Sequence, residues 1–196
     1  MRVLLVYCHP VESSFNAAVR DRVLASLAAR GDEVDLLDLY REGFDPVMSA
    51  AERISYLTQT ELNAAAARRH VDALRRAEGL VFVFPTWFYG PPAMLKGWFE
   101  RTWLPGETFT VATRKGERAG ARMQHIRWLC CVTTSGSPWW WLKLMGDPCR
   151  RLFLRGLRAL FARRCKVQWL QLYSMNNTTD ADRRRFLDRV GRALAP

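Results

Sequence analysis

No stretch of this 196-residue chain approaches the roughly 20 consecutive apolar residues that a membrane-spanning helix needs. The first apolar run, Arg2-Val3-Leu4-Leu5-Val6-Tyr7, is too short for the core of a secretory signal, and Cys8-His9-Pro10 follows at once. The five cysteines, Cys8, Cys130, Cys131, Cys149 and Cys165, form no C-x-x-C pair and are odd in number. That pattern argues against a disulfide framework and against a metal site, and a reducing, cytoplasmic setting is expected. Internal repeats and low-complexity tracts are missing too. Acidic residues are few: 19 Asp and Glu stand against 30 Lys and Arg, a formal net charge of +11. No recognised nucleic-acid motif accompanies the excess, so nucleic acid is not the expected partner.

What is present reads as one α/β domain over residues 1–196, with 49% hydrophobic residues to fill a core. Periodicity predicts strands at 2–7, 33–38, 80–84, 126–132 and 166–172. Helices are predicted at 14–30, about 60–76, 92–101, about 146–163 and 180–194. Five strands alternating with helices imply a five-stranded parallel sheet covered on both faces. Adjacent Cys130 and Cys131 should then point to opposite faces of their strand. Residues 41–60 are too many for a plain turn and suggest a lid or a dimer contact.

In such a sheet, ligands sit at the carboxyl ends of the strands. After the first strand come Cys8-His9-Pro10-Val11-Glu12-Ser13-Ser14-Phe15-Asn16. Ser13, Ser14 and Asn16 cluster at a helix start, where free N–H groups favour a phosphate. A hydroxyl there could equally cap the helix, but capping gives His9 no task. After Leu80-Val81-Phe82-Val83-Phe84 comes the aromatic, Pro-bounded Pro85-Thr86-Trp87-Phe88-Tyr89-Gly90-Pro91-Pro92. Its flat rings and backbone N–H groups suit a flat, polar-edged heterocycle, or alternatively a packed aromatic corner. After the strand at 126–132, Thr133, Thr134, Ser135 and Gly136 offer hydroxyls and a close backbone approach.

Three segments carry a family resemblance. They are His9-Pro10-x-x-x-Ser14-Phe15-Asn16, then Pro85 through Arg101 with Leu95-Lys96-Gly97-Trp98-Phe99-Glu100-Arg101, then Thr133-Thr134-Ser135-Gly136. Together they resemble the flavin-contacting segments of the NAD(P)H:quinone oxidoreductase family, which includes DT-diaphorase-type enzymes and the ancillary flavoproteins of potassium-efflux systems. The resemblance runs in order over roughly residues 1–147. It implies a flavodoxin-like fold, FAD or FMN as cofactor, NAD(P)H as co-substrate and a quinone-type acceptor. It also implies two-electron, ping-pong hydride transfer in a homodimer. Its implied flavin contacts are His9, Ser14, Phe15, Asn16, Pro85, Thr86, Trp87, Phe88, Tyr89, Thr133, Thr134, Ser135 and Gly136. A flavin-binding regulatory subunit of a membrane transporter is the alternative, and loss of the flavin a further one.

The chain departs from that family just beyond. Aligned on Gly146-Asp147, the family's His position holds Met145 and its Tyr position falls within Trp139-Trp140-Trp141. The family's acid/base residues therefore have no counterpart, and the catalytic residues stay unassigned. Trp139 and Trp140 are expected to wall the acceptor site. Lys143, Arg150, Arg151, Arg155, Arg158, Arg163, Arg164 and Lys166 face the single acid Asp147 over 139–166. Three readings fit this stretch: a solvated basic helix face, a membrane-surface or transporter contact, or a dimer contact with an anion funnel.

Overall fold

The computed structural model describes residues 1–112, 114 and 116–195. In chain order the elements are β1 (Arg2–Tyr7), α1 (Phe15–Ala29), β2 (Glu33–Asp38), α2 (Ala50–Ser55), α3 (Thr60–Ala66), α4 (Arg68–Arg76), β3 (Gly79–Thr86) and α5 (Ala93–Thr102). There follow β4 (Phe109–Thr110), β5 (Gly120–Ala121), β6 (Trp128–Ser135), α6 (Trp139–Leu144), α7 (Pro148–Arg151), β7 (Lys166–Leu172) and α8 (Asp180–Leu194). A π-helical segment, Leu152–Gly156, and a 3-10 turn, Leu157–Leu160, link α7 towards β7.

The main sheet is parallel throughout, in the order β2-β1-β3-β6-β7. Strand order reverses beside β1, which places a crevice between the carboxyl ends of β1 and β3. Alternation along the strands feeds two cores. Leu4, Val6, Phe82, Phe84 and Cys131 pack with Trp98, Phe99 and Phe153 on one face. Val3, Leu5, Val81, Val83 and Cys130 pack with Val19, Val23, Phe186 and Val190 of α1 and α8 on the other. Cys130 and Cys131 thus face opposite ways, as period-2 geometry requires.

Several boundaries differ from the sequence reading. The helix expected over 60–76 is two, broken at Ala67, whose backbone (φ −118, ψ 28) leaves the helical region. The helix expected from about 146 is preceded by α6, because Gly146 (φ 81) and Asp147 (φ 50) turn the chain through left-handed conformations. β3 runs on through Pro85 and Thr86, and β6 through Ser135, so those residues belong to strand ends rather than loops. Pro85 is tolerated because β3 pairs with β1 only as far as Val83, leaving no donor needed on that side. Residues 41–49 do not hang free. A Cβ on Gly97 would lie 2.2 Å from the Pro46 carbonyl oxygen, so glycine is what lets this connection seat on α5. α2 is fixed by a capping box of Ser49 and Glu52, and Arg101 on α5 binds Glu52 Oε1 at 2.6 Å. The short β4–β5 pair had no sequence signal of its own. Among the described residues, no helix is long and apolar enough to cross a membrane.

Candidate functional site

A cavity of about 450 Å³ opens at the carboxyl edge of the sheet. Its walls are His9, Ser14, Phe15, Asn16, Pro85, Thr86, Trp87, Thr134, Ser135, Gly136, Met175 and Asn176. Three segments far apart in sequence therefore meet there, together with a fourth from the turn after β7.

Ser14 is the N-cap of α1, its hydroxyl oxygen accepting the Ala17 N–H at 3.2 Å. It is both cap and wall, so the two readings of this hydroxyl do not exclude each other. No acidic residue occupies the first turn of α1, which leaves the positive end of its dipole unopposed for an anion. In that turn Asn16 is buried. Its Nδ2 donates to Thr134 Oγ1 at 3.1 Å, while its Oδ1 is buried without a partner. An orphaned acceptor on a cavity wall calls for a donor from a ligand, since leaving it unmet costs roughly 1–3 kcal/mol. His9 has a local task after all: its Nδ1 accepts the Val11 N–H at 3.1 Å and so holds the loop. Its ring lies 6.0 Å from that of Trp87.

Other expected contacts lie elsewhere. Thr133 is buried off the cavity, its hydroxyl 2.9 Å from that of Thr86. Because it lies in β6 rather than in a loop, pleating turns it away from the side that Thr134 faces. Phe88 is 101% exposed and Tyr89 37%. Both have positive φ, 45° and 63°, within a two-residue turn closed by Trp87 N–H to Gly90 O (3.0 Å) and Gly90 N–H to Trp87 O (2.9 Å). A turn of this hand normally uses Asn-Gly, so two aromatic residues here hold backbone strain. Trp139 and Trp140 are exposed on α6, outside the cavity lining. Trp141 Nε1 donates to the Tyr89 hydroxyl at 2.9 Å and ties α6 to the turn.

Met175 and Asn176 escaped the sequence reading. Their signal was the polar run Asn176-Asn177-Thr178-Thr179 after β7. A Cβ on Gly136 would lie 3.4 Å from Asn176 Nδ2, which sets Asn176 directly against the end of β6. Burial pushes the thiols of Cys8 and Cys149 up to about 12, so neither supplies a thiolate near the strand ends at neutral pH.

These residues fit a flavin. The unmet Asn16 acceptor suits a polyol hydroxyl, the α1 terminus a phosphate, and the cavity edge formed by the ends of β3 and β6 a flat ring. A second cavity of about 570 Å³ shares His9 and continues along Pro10, Glu12, Asp38, Tyr40 and Arg41.

A family model described as a flavodoxin-like fold matches residues 1–194. The chain is similar to NAD(P)H dehydrogenase [quinone] 1 of Rattus norvegicus, 32% identical over 151 residues, covering 69% of this chain and 54% of that one. It is similar to the uncharacterized NAD(P)H oxidoreductase YcaK of Escherichia coli (strain K12), 30% identical over 131 residues, covering 67% and 64%. The chain thus spans between about half and two thirds of the length of these curated relatives. Among solved structures it is similar to Smu.1420 from Streptococcus mutans UA159, with a TM-score of 0.83, 27% identity and 99% and 98% of the two chains covered.

Proposed function

The chain belongs to the flavodoxin-like fold family, and on that premise we propose that it is a flavin-dependent NAD(P)H oxidoreductase reducing quinones or similar acceptors by two-electron, ping-pong hydride transfer. The observation that carries this reading is the buried, unpartnered Asn16 Oδ1 on a cavity shared by the ends of β1, β3 and β6. The names borne by the rat and Escherichia coli relatives support it.

A bound flavin would supply the chemistry of hydride transfer between NAD(P)H and an acceptor. The chain binds and orients. Asn16 Oδ1 would accept from a polyol hydroxyl while Thr134 fixes its amide. Ser14 and the first-turn N–H groups of α1 would hold the flavin phosphate. The end of β3 with Trp87 and the end of β6 with Gly136 would contact the ring. The adjoining cavity at His9 and Tyr40 supports FAD over FMN, since it has room for an adenosine half. Trp87, Phe88 and Tyr89, exposed at the mouth, support a homodimer in which a second copy completes the wall. The second reading, a flavin-binding regulatory subunit of a transporter, is favoured by the outward Trp139 and Trp140.

The test is direct. Purified protein should absorb in the flavin bands, release FAD on denaturation, and oxidise NAD(P)H when a soluble quinone is added. A colourless protein that takes up neither FAD nor FMN overturns the proposal. Flavin binding without NAD(P)H oxidation leaves the regulatory reading.

A further inference from the structure

A second concave site lies at the corner between α6 and α7 and shares no lining residue with the cavity above. It is a cavity of about 390 Å³ lined by Lys143, Asp147, Arg150, Arg151 and Arg155, with Gly146 and Leu154. Four cations thus surround one carboxylate. Asp147 is buried and already shared: Lys143 Nζ lies 3.3 Å and Arg150 Nη1 3.9 Å from its Oδ2. That carboxylate cannot neutralise Arg151 and Arg155 as well. Arg150 Nε, meanwhile, is buried without any partner. Arg151 is drawn over the corner, where a Cβ on Gly146 would meet its Nη1 at 3.4 Å. Spacing explains the convergence. Arg150 with Leu154, and Arg151 with Arg155, are four residues apart across the start of the π-helical segment, so each pair shares a face.

We propose that this corner is a binding site for a phosphate group. Planar guanidinium forks match phosphate oxygens in pairs, an oxyanion would meet the orphaned Arg150 N–H, and an excess of three positive charges suits a dianion better than a carboxylate. The cavity exceeds a bare phosphate, so the ligand is an ester with an organic body. Two sources share this chemistry, a soluble phosphate ester and the headgroup of an anionic lipid. The flank bears on the second. Trp139, Trp140, Lys143 and Leu144 lie on one outward face of α6, with Trp139 61%, Trp140 55% and Leu144 67% exposed. Such a face suits the interfacial layer of a bilayer.

The experiment uses the full chain at constant ionic strength, with chloride exchanged for inorganic phosphate, and follows thermal unfolding. Phosphate should raise the midpoint with a saturable dependence. In the Arg151→Gln, Arg155→Gln double variant the half-saturating concentration should rise at least tenfold. Arg150→Lys, which keeps the charge and loses the fork, should weaken binding by less. The unfolding midpoint of each variant in chloride reports whether it is folded. In parallel, co-sedimentation is measured with phosphatidylglycerol and with phosphatidylcholine vesicles. Binding to the first alone, lost in the double-arginine variant and in Trp139→Ser, Trp140→Ser, assigns the lipid source. Phosphate stabilisation that depends on the arginines, without vesicle binding, assigns the soluble source. If neither phosphate nor vesicles distinguish the double-arginine variant from the parent, the corner is no phosphate site and the proposal falls.

Discussion

Phe88 combines complete exposure with a left-handed backbone, a pairing that folding alone does not favour. A non-glycine residue held there costs of order 1–3 kcal/mol. Phe88→Gly removes that strain and no buried contact, so the isolated protein should gain about 1 kcal/mol after the entropy of glycine is allowed for. A midpoint rise of roughly 2–4 °C in thermal unfolding is expected for a chain of this size. A fall instead would mean that the ring is covered in solution, as a second copy would cover it. Asn16 gives the complementary case. Asn16→Leu removes the bond to Thr134 and the unmet acceptor together, and one neutral hydrogen bond is worth about 0.5–1.5 kcal/mol. Flavin affinity, measured by fluorescence titration, should therefore drop by roughly 2- to 10-fold with the fold retained. Undiminished affinity would remove Asn16 from the site. Residues such as Ser14 and Thr134 were legible because their positions at strand ends follow from the period of the pattern. Phe88 and Thr133 lie off the cavity lining, because a hairpin turn and the three residues by which β6 outruns the expected strand decide which way each side chain points.

Between elements, α4 and α5 are joined by Trp98 Nε1–H donating to His70 Nδ1 at 3.1 Å, both buried. That bond needs a neutral imidazole. Burial holds the His70 pKa below its ordinary 6.5, against the opposing pull of Glu42. The unfolded chain therefore takes up the proton first as pH falls. The stability that His70 contributes is complete above about 6.5 and is lost as pH drops from there towards the lower folded value. Unfolding midpoints at pH 7.5 and 5.5, at fixed salt, should show a decline that is shallower in His70→Gln, where the amide oxygen can still accept from Trp98. Equal slopes would remove His70 as the cause. Gly97→Ala should act through packing instead. Its methyl meets the Pro46 carbonyl, and forced overpacking typically costs 1–3 kcal/mol. The sequence signalled neither contact, since both join segments whose spacing is set only by the closed sheet. The break at Ala67 was hidden for a related reason: helical periodicity continues across a break that tertiary packing imposes, whereas α6, ahead of the Gly146-Asp147 turn, was not expected as a helix at all.

For the molecule as a whole, a parallel five-stranded sheet covered on both faces was readable from strands alternating with helices, while the spatial order of the strands was not; β3 and β6 are buried along nearly their whole length. Those central strands should exchange their amide hydrogens most slowly, and residues 41–60 at the periphery faster. Ligand linkage gives a larger signal. A flavin at 100 times its dissociation constant stabilises by about 2.7 kcal/mol, which corresponds to roughly 5–10 °C in the unfolding midpoint. Titration with FAD and with FMN under matched conditions therefore ranks the two cofactors without any assay of turnover.

All five cysteines are buried, and desolvation raises every one of their thiols above the ordinary range. The folded surface is consequently blank to thiol-selective electrophiles at neutral pH. One thiol introduced at the amino edge of the sheet, for instance Glu33→Cys, would be the sole point of attachment. It lies at the opposite end of the strands from the cavity, so a dye, a spin probe or an electrode tether could be fixed there without approaching the site. Mass spectrometry after maleimide treatment should show a single adduct on the native variant, none on the native parent, and five on the parent once unfolded.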